Sequence, residues 1–335
     1  MSHRFQINLS ALIDLLSQHL YPSADVFVRE LLQNAADAIA ARQQREPDHA
    51  GHIRIELDQD MCQLRIHDNG IGMSDVEMHR FLAIIGESSK RNPNPGQVAD
   101  FLGQFGIGLL ACFTVADEIV LHSRSAKNGN EGSFCWRGRS DGSYTIEVGA
   151  AMAQAGTQVV LQVRAEFTHL LKLSSLERAL RHYGDLLPVP ITLHYLQHEI
   201  MVNQRNDYQC YPWDASHLPA EQQKDFQLQY GRQHLQEEIF DVVPLHSAAG
   251  QVEGLACIMA HSVSVTALNQ HRVYIKRMLL SDDVQNLLPD WAVFVRCIVN
   301  CRALQPTAAR NAFYRNQQLA QTQQELGDCL KNYLR

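Results

Sequence analysis

The chain has 335 residues, of which 45% are hydrophobic, so it is long enough for about two domains that each contain a core. Its 29 basic and 36 acidic residues give a formal charge of -7, so net charge does not favour binding to nucleic acid or to an anionic membrane, although a local basic patch remains open. The sequence contains neither an apolar run that could span a membrane nor the apolar core of a signal peptide, and we therefore expect a cytoplasmic protein.

The eight cysteines are scattered and form no Cys-x-x-Cys pair, and the histidines are equally dispersed. This distribution indicates buried thiols rather than a disulfide framework or a zinc site.

The strongest local pattern predicts a helix over residues 26–39, in which apolar residues recur at spacings of three and four. A second stripe of this helix carries Glu30, Asn34 and Asp37, which lie on one face. An amide oxygen and a nearby carboxylate are suitable ligands for Mg²⁺, and a second carboxylate can accept a proton from water. Because surface helices normally carry such residues, the stripe alone is interpreted as a solvated face.

Two alternating strands follow, over residues 52–57 and 62–67, and predict a half-buried hairpin. The second strand ends at Asp68-Asn-Gly-Ile-Gly-Met73, which is typical of a turn. In an alternative interpretation this segment binds a nucleobase: Asp68 accepts a hydrogen bond from an exocyclic amine, and Gly70 and Gly72 let the backbone approach a flat ring. Taken alone, the local pattern favours the turn.

Residues 74–102 contain two short helical patterns around a polar segment rich in proline and glycine, which is either a surface loop or a mobile lid. Next comes Gly103-Gln-Phe-Gly-Ile-Gly108, before a predicted apolar helix over residues 109–115. Glycines before a helix can turn successive N–H groups toward an anion. A lone glycine cluster of this kind is not specific.

Four strands, over residues 119–124, 133–137, 143–148 and 157–163, predict an antiparallel meander that closes an α+β sandwich. Thr157 opens the last of them, where its hydroxyl either faces a pocket or has no function. A helix over residues 176–187 then ends at Pro188-Val-Pro190, which we interpret as the domain boundary.

The second half alternates strands and helices and is predicted to be an α/β domain. Its strands are predicted at 191–196, 239–245, 252–260, 273–280 and 291–301, and a short helix near 283–288. A polar helix over residues 316–334 carries few apolar positions, and we expect it to pack on a part of the protein that this sequence does not contain.

In this order, the Glu30, Asp68, Gly103–Gly108 and Gly156-Thr157 motifs resemble the Bergerat-type ATP site shared by gyrase, histidine kinases, MutL-type repair proteins and the heat-shock protein 90 chaperones. Residues 27–38, 85–90 and 103–117 resemble the heat-shock protein 90 branch, and residues 273–299 resemble its middle domain. The resemblance therefore covers nearly the whole chain.

The resemblance implies a Bergerat-type two-layer α/β sandwich over residues 1–188, with a lid at about 74–102, and a partial α/β middle domain over residues 189–335 without a C-terminal dimerisation domain. It also implies a chaperone of the HtpG type that binds ATP with Mg²⁺ and hydrolyses it slowly to ADP and phosphate. Client proteins and a second copy in a full-length homodimer are the implied partners, with a role in protein folding and stress response and no contact with nucleic acid or membrane.

Specific roles are implied for individual residues. Asn34 is the implied Mg²⁺ ligand, Glu30 the general base and Asp68 the adenine anchor. Arg310 matches the position from which the family's middle domain reaches the γ-phosphate. The remaining nucleotide-binding residues implied by the resemblance are Asp37, Gly72, Met73, Ser88, Gly103, Gln104, Phe105, Gly106, Ile107, Gly108 and Thr157.

The sequence departs from the family pattern near Arg310, where many relatives read Asn-x-Ser-Arg-Glu and the segment Ala308-Ala-Arg310-Asn311 lacks the polar neighbours and the glutamate. Two other functions therefore remain open: a MutL- or gyrase-like ATPase that processes DNA, and a nucleotide-binding module with little turnover. The negative net charge argues against the first, and the presence of Glu30 argues against the second.

Overall fold

The structure is a computed structural model that describes residues 23–82, 108–127, 132–203, 210–261, 270–307 and 312–335. The chain forms two compact units, Met1–Gln204 and Arg205–Arg335. Among the described residues, no helix combines the length and apolar character needed to cross a membrane.

The first unit is an eight-stranded mixed sheet with helices packed on it. Its helices are α1 (Val26–Gln43), α2 (Asp75–Leu82) and α3 (Leu173–Gly184), with 3-10 helices at Gly108–Thr114 and Ala165–Leu171. Its strands are β1 (Ile53–Asp58), β2 (Gln63–Asp68), β3 (Ala116–Arg124), β4 (Phe134–Arg139), β5 (Tyr144–Val148), β6 (Gly156–Val163), β7 (Ile191–Tyr195) and β8 (His198–Met201). The strand order is β5-β4-β3-β6-β2-β1-β7-β8, and only the β1–β7 pair is parallel. The α+β class predicted from the sequence is confirmed.

The sheet buries alternate residues, as the sequence pattern predicts. In β1 and β2 the apolar side chains of Ile55, Leu64 and Ile66 are buried, while the intervening polar side chains face away from them. Helix α1 packs on this apolar face and also contacts α3 and the 3-10 helix Gly108–Thr114. The polar stripe of α1 is thereby brought next to the end of β2.

The predicted four-strand meander is wrong for its last strand. Strand β6 does not pair with β5 but returns to the far side of β3 and lies between β3 and β2. Strand β6 is therefore central, and its first residues lie beside the end of β2. The predicted helix at 109–115 is also different, since residues Gly108–Thr114 form a 3-10 helix.

The first unit ends later than the boundary expected at residue 188. Strand β7 pairs in parallel with β1, so that Ile53 lies opposite Ile191, and β8 then pairs with β7. Asn203 secures this addition, because its side chain accepts the N–H of Ile191 at 2.8 Å and donates to the carbonyl of Leu187 at 3.0 Å. The proline pair precedes an edge addition to the first sheet rather than a new domain.

The second unit has a five-stranded sheet. Its elements are α4 (Ala220–Leu235), β9 (Ile239–Ser247), β10 (Val252–Met259), β11 (His271–Ile275), β12 (Met278–Val284), β13 (Val295–Cys301) and α5 (Gln317–Leu334), with a 3-10 helix at Pro212–His217. The strand order is β12-β11-β13-β10-β9, and only the β11–β13 pair is parallel.

Two predictions for this unit are wrong. The single strand expected over 273–280 is the β11–β12 hairpin, which turns at Lys276 and Arg277 with φ of 49° and 70°. Strand β12 continues to Val284, where the sequence pattern predicted the start of a helix.

Helix α5 also differs from its expected role. Its buried residues Leu319, Leu326 and Leu330 belong to the same apolar cluster as residues of the sheet. This narrow apolar stripe is enough to anchor α5, because the helix covers one face of this unit's own sheet. A missing part of the protein is not needed to bury it.

Candidate functional site

The polar stripe of α1 is buried, so its interpretation as a solvated face is wrong. Glu30 is 5% exposed and Asp37 is 2% exposed, while Asn34 between them is half-buried. Burying charged side chains is unfavourable unless they are paired or hydrogen-bonded. Their burial on one helix face therefore indicates a site rather than a surface.

Glu30 is paired with its neighbour in the sequence. The Nε and Nη2 atoms of Arg29 donate to Oε1 of Glu30 at 3.2 and 3.0 Å. Arg29 is itself only 6% exposed. The guanidinium thus compensates a buried carboxylate and fixes one of its two oxygens.

The other oxygen of Glu30 lies against the start of the 3-10 helix. A Cβ atom added to Gly108 would be 2.5 Å from Oε2 of Glu30, which shows how closely the backbone approaches the carboxylate. Cys112, on the same 3-10 helix, is buried, and its burial together with the charge of Glu30 raises the pKa of its thiol. Position 108 leaves room for the Glu30 carboxylate because glycine has no Cβ atom.

Asp68 is the last residue of β2 and lies opposite Thr157 at the start of β6. Both are buried, at 6% and 7% exposure. Oδ1 of Asp68 accepts the N–H of Gly70 at 2.8 Å, which closes the turn after the strand. A buried carboxylate and a buried hydroxyl therefore lie side by side at this corner of the sheet.

Ser123 of β3 completes this corner, and the sequence analysis missed it. Its Oγ accepts the N–H of Met73 at 2.9 Å, donates to the carbonyl of Gly156 at 2.9 Å and lies 2.9 Å from Oγ1 of Thr157. Because the single proton of Ser123 points to Gly156, Thr157 donates its own proton to Ser123. A ligand could therefore donate a hydrogen bond to Oγ1 of Thr157. The signal is that Ser123 is 0% exposed on the buried side of β3, which appears only once the sheet is known.

The two glycines after Asp68 let their loop pack closely on its neighbours. The Cβ position of Gly70 points into Ala38 at 2.6 Å, and that of Gly72, with φ of +62°, lies 1.9 Å from the carbonyl oxygen of Arg124. Hydrogen bonds from Ile71 to Ala38 and from Ala126 to Ile71 hold the same loop. A side chain at either position would therefore displace the loop from α1 or β3, and contact of Gly72 with a nucleobase stays a prediction.

The structure thus brings together four of the sequence motifs at least in part: the stripe of α1, the Asp68–Met73 segment, Gly108 and Thr157. Seven predicted residues lie outside the described part of the chain, as does most of the predicted lid: Ser88, Gly103, Gln104, Phe105, Gly106, Ile107 and Arg310. No group of three metal-ligating side chains occurs among the described residues. Mg²⁺ bound by one protein oxygen and substrate phosphates needs no such group, so the half-buried amide of Asn34 fits that role.

A cavity of about 280 Å³ opens elsewhere in the first unit, at the N-terminal end of α1. It is lined by Asp25, which precedes α1, by Phe27 and Val28 of α1, and by residues of α3 that include Arg178 and His182. It shares no residue with the predicted nucleotide site, where Glu30 lies against Gly108 and Asp68 lies beside Thr157.

Residues 22–154 match the family described as "Histidine kinase-, DNA gyrase B-, and HSP90-like ATPase". Chaperone protein HtpG of Wolinella succinogenes is 28% identical over 95% of this chain and 55% of its own length. The HtpG proteins of Nitrosomonas eutropha and Geobacter sulfurreducens are 29% and 27% identical, over 91% and 96% of this chain and 52% and 55% of their own lengths.

The chain therefore spans about half the length of the curated relatives that it matches. Similarity to HtpG extends over both compact units, beyond the matched ATPase domain. The resemblance found in the sequence is confirmed. The chain is similar to HtpG chaperones over most of its length, and its residues 22–154 match the ATPase family that also includes gyrase B and the histidine kinases.

Proposed function

We propose that this chain binds ATP with Mg²⁺ and hydrolyses it as the ATPase part of a chaperone of the heat-shock protein 90 type. The observation that carries the proposal is the burial of one base, on the helix that packs on the sheet, and of one recognition corner, at the end of β2 in the same unit. Glu30 faces Gly108, while Asp68 and Thr157 lie together at the end of β2. The match to the ATPase family supports reading this arrangement as a nucleotide site.

The corner formed by Asp68, Thr157 and Ser123 suits an adenine. Asp68 accepts hydrogen bonds when ionised, which matches the exocyclic amine of adenine. Thr157, whose proton goes to Ser123, can accept but not donate. Because an amino group in a buried site is recognised through acceptors placed to receive it, the corner favours adenine over a base that presents a carbonyl there.

The other end of the site suits water activation. Glu30 has one oxygen fixed by Arg29 and the other directed at Gly108, so it can accept the proton of an attacking water. Mg²⁺ bound at Asn34 would neutralise charge on the substrate phosphates. Phosphoryl transfer requires mainly positioning and charge stabilisation, and one base is enough. Arg310 is proposed to stabilise the γ-phosphate, from the resemblance alone.

The activity of the whole protein is a further step of the proposal. Relatives named chaperone protein HtpG support a role as a chaperone that assists client proteins. A role under stress, a homodimer in the full-length protein and a slow ATPase that drives a clamp-like conformational cycle are proposed from the sequence resemblance. The cytoplasmic location expected from the sequence belongs with these proposals.

The test is phosphate release from ATP with Mg²⁺, together with ATP binding by calorimetry. We expect Glu30→Ala and Arg310→Ala to lose turnover while retaining ATP binding. Asp68→Asn is expected to lose binding, because its amide presents a donor to the amine. Glu56→Ala, on the half-exposed face of β1, is the control and should behave like the wild type.

The outcomes separate the candidate functions. Binding without turnover in the wild type would favour a nucleotide-binding module, and equal turnover by wild type and Glu30→Ala would refute the role of the base. Salt-sensitive binding to duplex DNA would favour a DNA-processing ATPase. An Asp68→Asn variant that binds ATP with wild-type affinity would refute the proposed adenine corner.

A further inference from the structure

The contact between Arg29 and Glu30 is unusual for its position in a helix. Consecutive side chains on an α-helix point in directions about 100° apart and do not face each other. Nevertheless, two nitrogens of Arg29 lie within 3.2 Å of Oε1 of Glu30. The Arg29 side chain must therefore be directed back toward Glu30 by a further contact.

Tyr183 of α3 supplies such a contact. The guanidinium carbon of Arg29 lies 5.9 Å from the centroid of the Tyr183 ring, which is within the range of a cation–π interaction. Both residues are buried, at 6% and 7% exposure, and this interaction is strongest where water is excluded. The ring faces a guanidinium whose other side is paired with a carboxylate.

The Tyr183 ring is also tied to α1 at a second point. Its hydroxyl donates to Oδ1 of Asp25 at 3.4 Å, and Asp25 lies four residues before Arg29, one helical turn away. Burial, followed by the charge of Asp25, raises the pKa of Tyr183 to about 12, so the hydroxyl remains a donor at neutral pH. Helix α3 therefore holds the first turn of α1 through one aromatic side chain.

We propose that Tyr183 is a positioning residue for the general base: it holds Arg29 against Oε1 of Glu30 and thereby keeps Oε2 directed at Gly108. This inference rests on the proposed function, because it requires Glu30 to act as the base. Tyr183 acts only through Arg29 and does not touch the substrate.

Removing the ring should reduce turnover without reducing nucleotide binding. In a Tyr183→Leu variant Arg29 regains rotamers, so the ion pair at Oε1 of Glu30 is held less firmly. A displacement of about 1 Å at a reacting group lowers the rate by up to about 100-fold, and we expect a fall in kcat of about 10-fold or more. The affinity for ATP should not change, because Asp68 and Thr157 lie on β2 and β6. Tyr183→Phe keeps the ring and should retain most of the turnover.

The experiment is a double-mutant cycle on kcat with ATP affinity measured in parallel. It compares the wild type with Tyr183→Leu, Tyr183→Phe, Arg29→Ala and the Arg29→Ala/Tyr183→Leu double variant. If Tyr183 acts through Arg29, Tyr183→Leu lowers kcat in the wild type but has no further effect when Arg29 is absent. Tyr195→Leu is the matched control, because Tyr195 belongs to the same unit but its hydroxyl donates to Gln59 at 2.7 Å.

Three results would overturn the proposal: additive losses in the cycle, equal losses for Tyr183→Phe and Tyr183→Leu, or a similar loss for the control. Urea unfolding of the same proteins tests the Arg29–Tyr183 coupling without turnover, and zero coupling there would overturn the proposal even for an active ATPase. If Arg29 and Tyr183 are coupled in unfolding but Glu30→Ala still hydrolyses ATP, Glu30 is not the base. That result would contradict the proposed function rather than the contact between Tyr183 and Arg29.

Discussion

Gly108→Ala is expected to displace the carboxylate of Glu30 while leaving the apolar core unchanged. The new Cβ would lie 2.5 Å from Oε2 of Glu30, whereas ordinary contacts begin at 3.4 Å. The carboxylate must therefore move by about 0.9 Å, since the three nearest atoms to the new Cβ all belong to the flexible side chain of Glu30. Arg29 holds the other oxygen, so the movement changes the direction of Oε2 rather than sliding the whole group.

The expected effect falls on the chemical step. A displacement of about 1 Å at a catalytic group costs up to about 100-fold in rate, which corresponds to about 2.7 kcal/mol of barrier. The atom displaced is not part of the apolar core, and thermal stability should change by less than about 0.5 kcal/mol, as for substitutions that meet no core packing. The adenine corner formed by Asp68 and Thr157 is untouched, so the loss of ATP affinity should be smaller than the loss of turnover, even though Gly108 belongs to the predicted phosphate loop.

The assay is phosphate release at saturating ATP, with calorimetry for binding and urea unfolding for stability. Gly132→Ala provides the matched control, because a Cβ added there meets nothing within 4 Å. Wild-type turnover by Gly108→Ala would refute the assignment of Oε2 as the reacting oxygen. A loss of turnover that is accompanied by an equal loss of stability would refute the claim that the contact is local to the base.

Three further predictions concern stability. Burial lowers the pKa of His271 from 6.5 to about 4, because the folded protein holds the ring neutral. The free energy of unfolding of the second unit should therefore fall by about 3 kcal/mol as pH drops from 6.5 through 4. A His271→Gln variant should show a flatter dependence of urea unfolding on pH over that range. Gly72→Ala should lower the free energy of unfolding by more than about 2 kcal/mol, since φ is +62° and the Cβ would lie 1.9 Å from the carbonyl of Arg124; a change in Tm within error would contradict this. Leu196 is 79% exposed at a φ of 54°, so Leu196→Gly should stabilise the β7–β8 turn by about 0.5–1 kcal/mol, and a lower urea midpoint would count against it.

Helix α1 and the Asp68 segment could be predicted because their signals are local. The apolar spacing of α1 and the alternation of β2 are visible within a window of a few residues. The burial of Glu30 and Asp37 could not be predicted in the same way, because an identical spacing occurs on solvated helix faces. Their environment depends on elements that come later in the chain, namely β2, the 3-10 helix Gly108–Thr114 and α3, all of which contact α1.

The sequence-based predictions of strands, helices and the domain boundary were wrong where strands far apart in the sequence pair or where turns lack the usual turn residues. Strand β7 joins β1 across more than a hundred residues, and the proline pair before it indicated a boundary instead. The β11–β12 hairpin turns at Lys276 and Arg277, neither of which is a residue that favours positive φ. Helix α4 was missed because its exposed sequence is largely polar, with only a few buried positions such as Phe226 and Tyr230.

The two ends of the site are built differently, and this has a consequence for how the protein can vary. The corner around Asp68 is held by strand register, by backbone contacts at Gly72 and by Ser123, so its geometry is fixed by the sheet itself. Among the described contacts, the base is held by the side chain of Arg29 and by the space left at Gly108. Substitutions around Glu30 should therefore change turnover with little effect on affinity, whereas substitutions at the corner should change affinity and stability together.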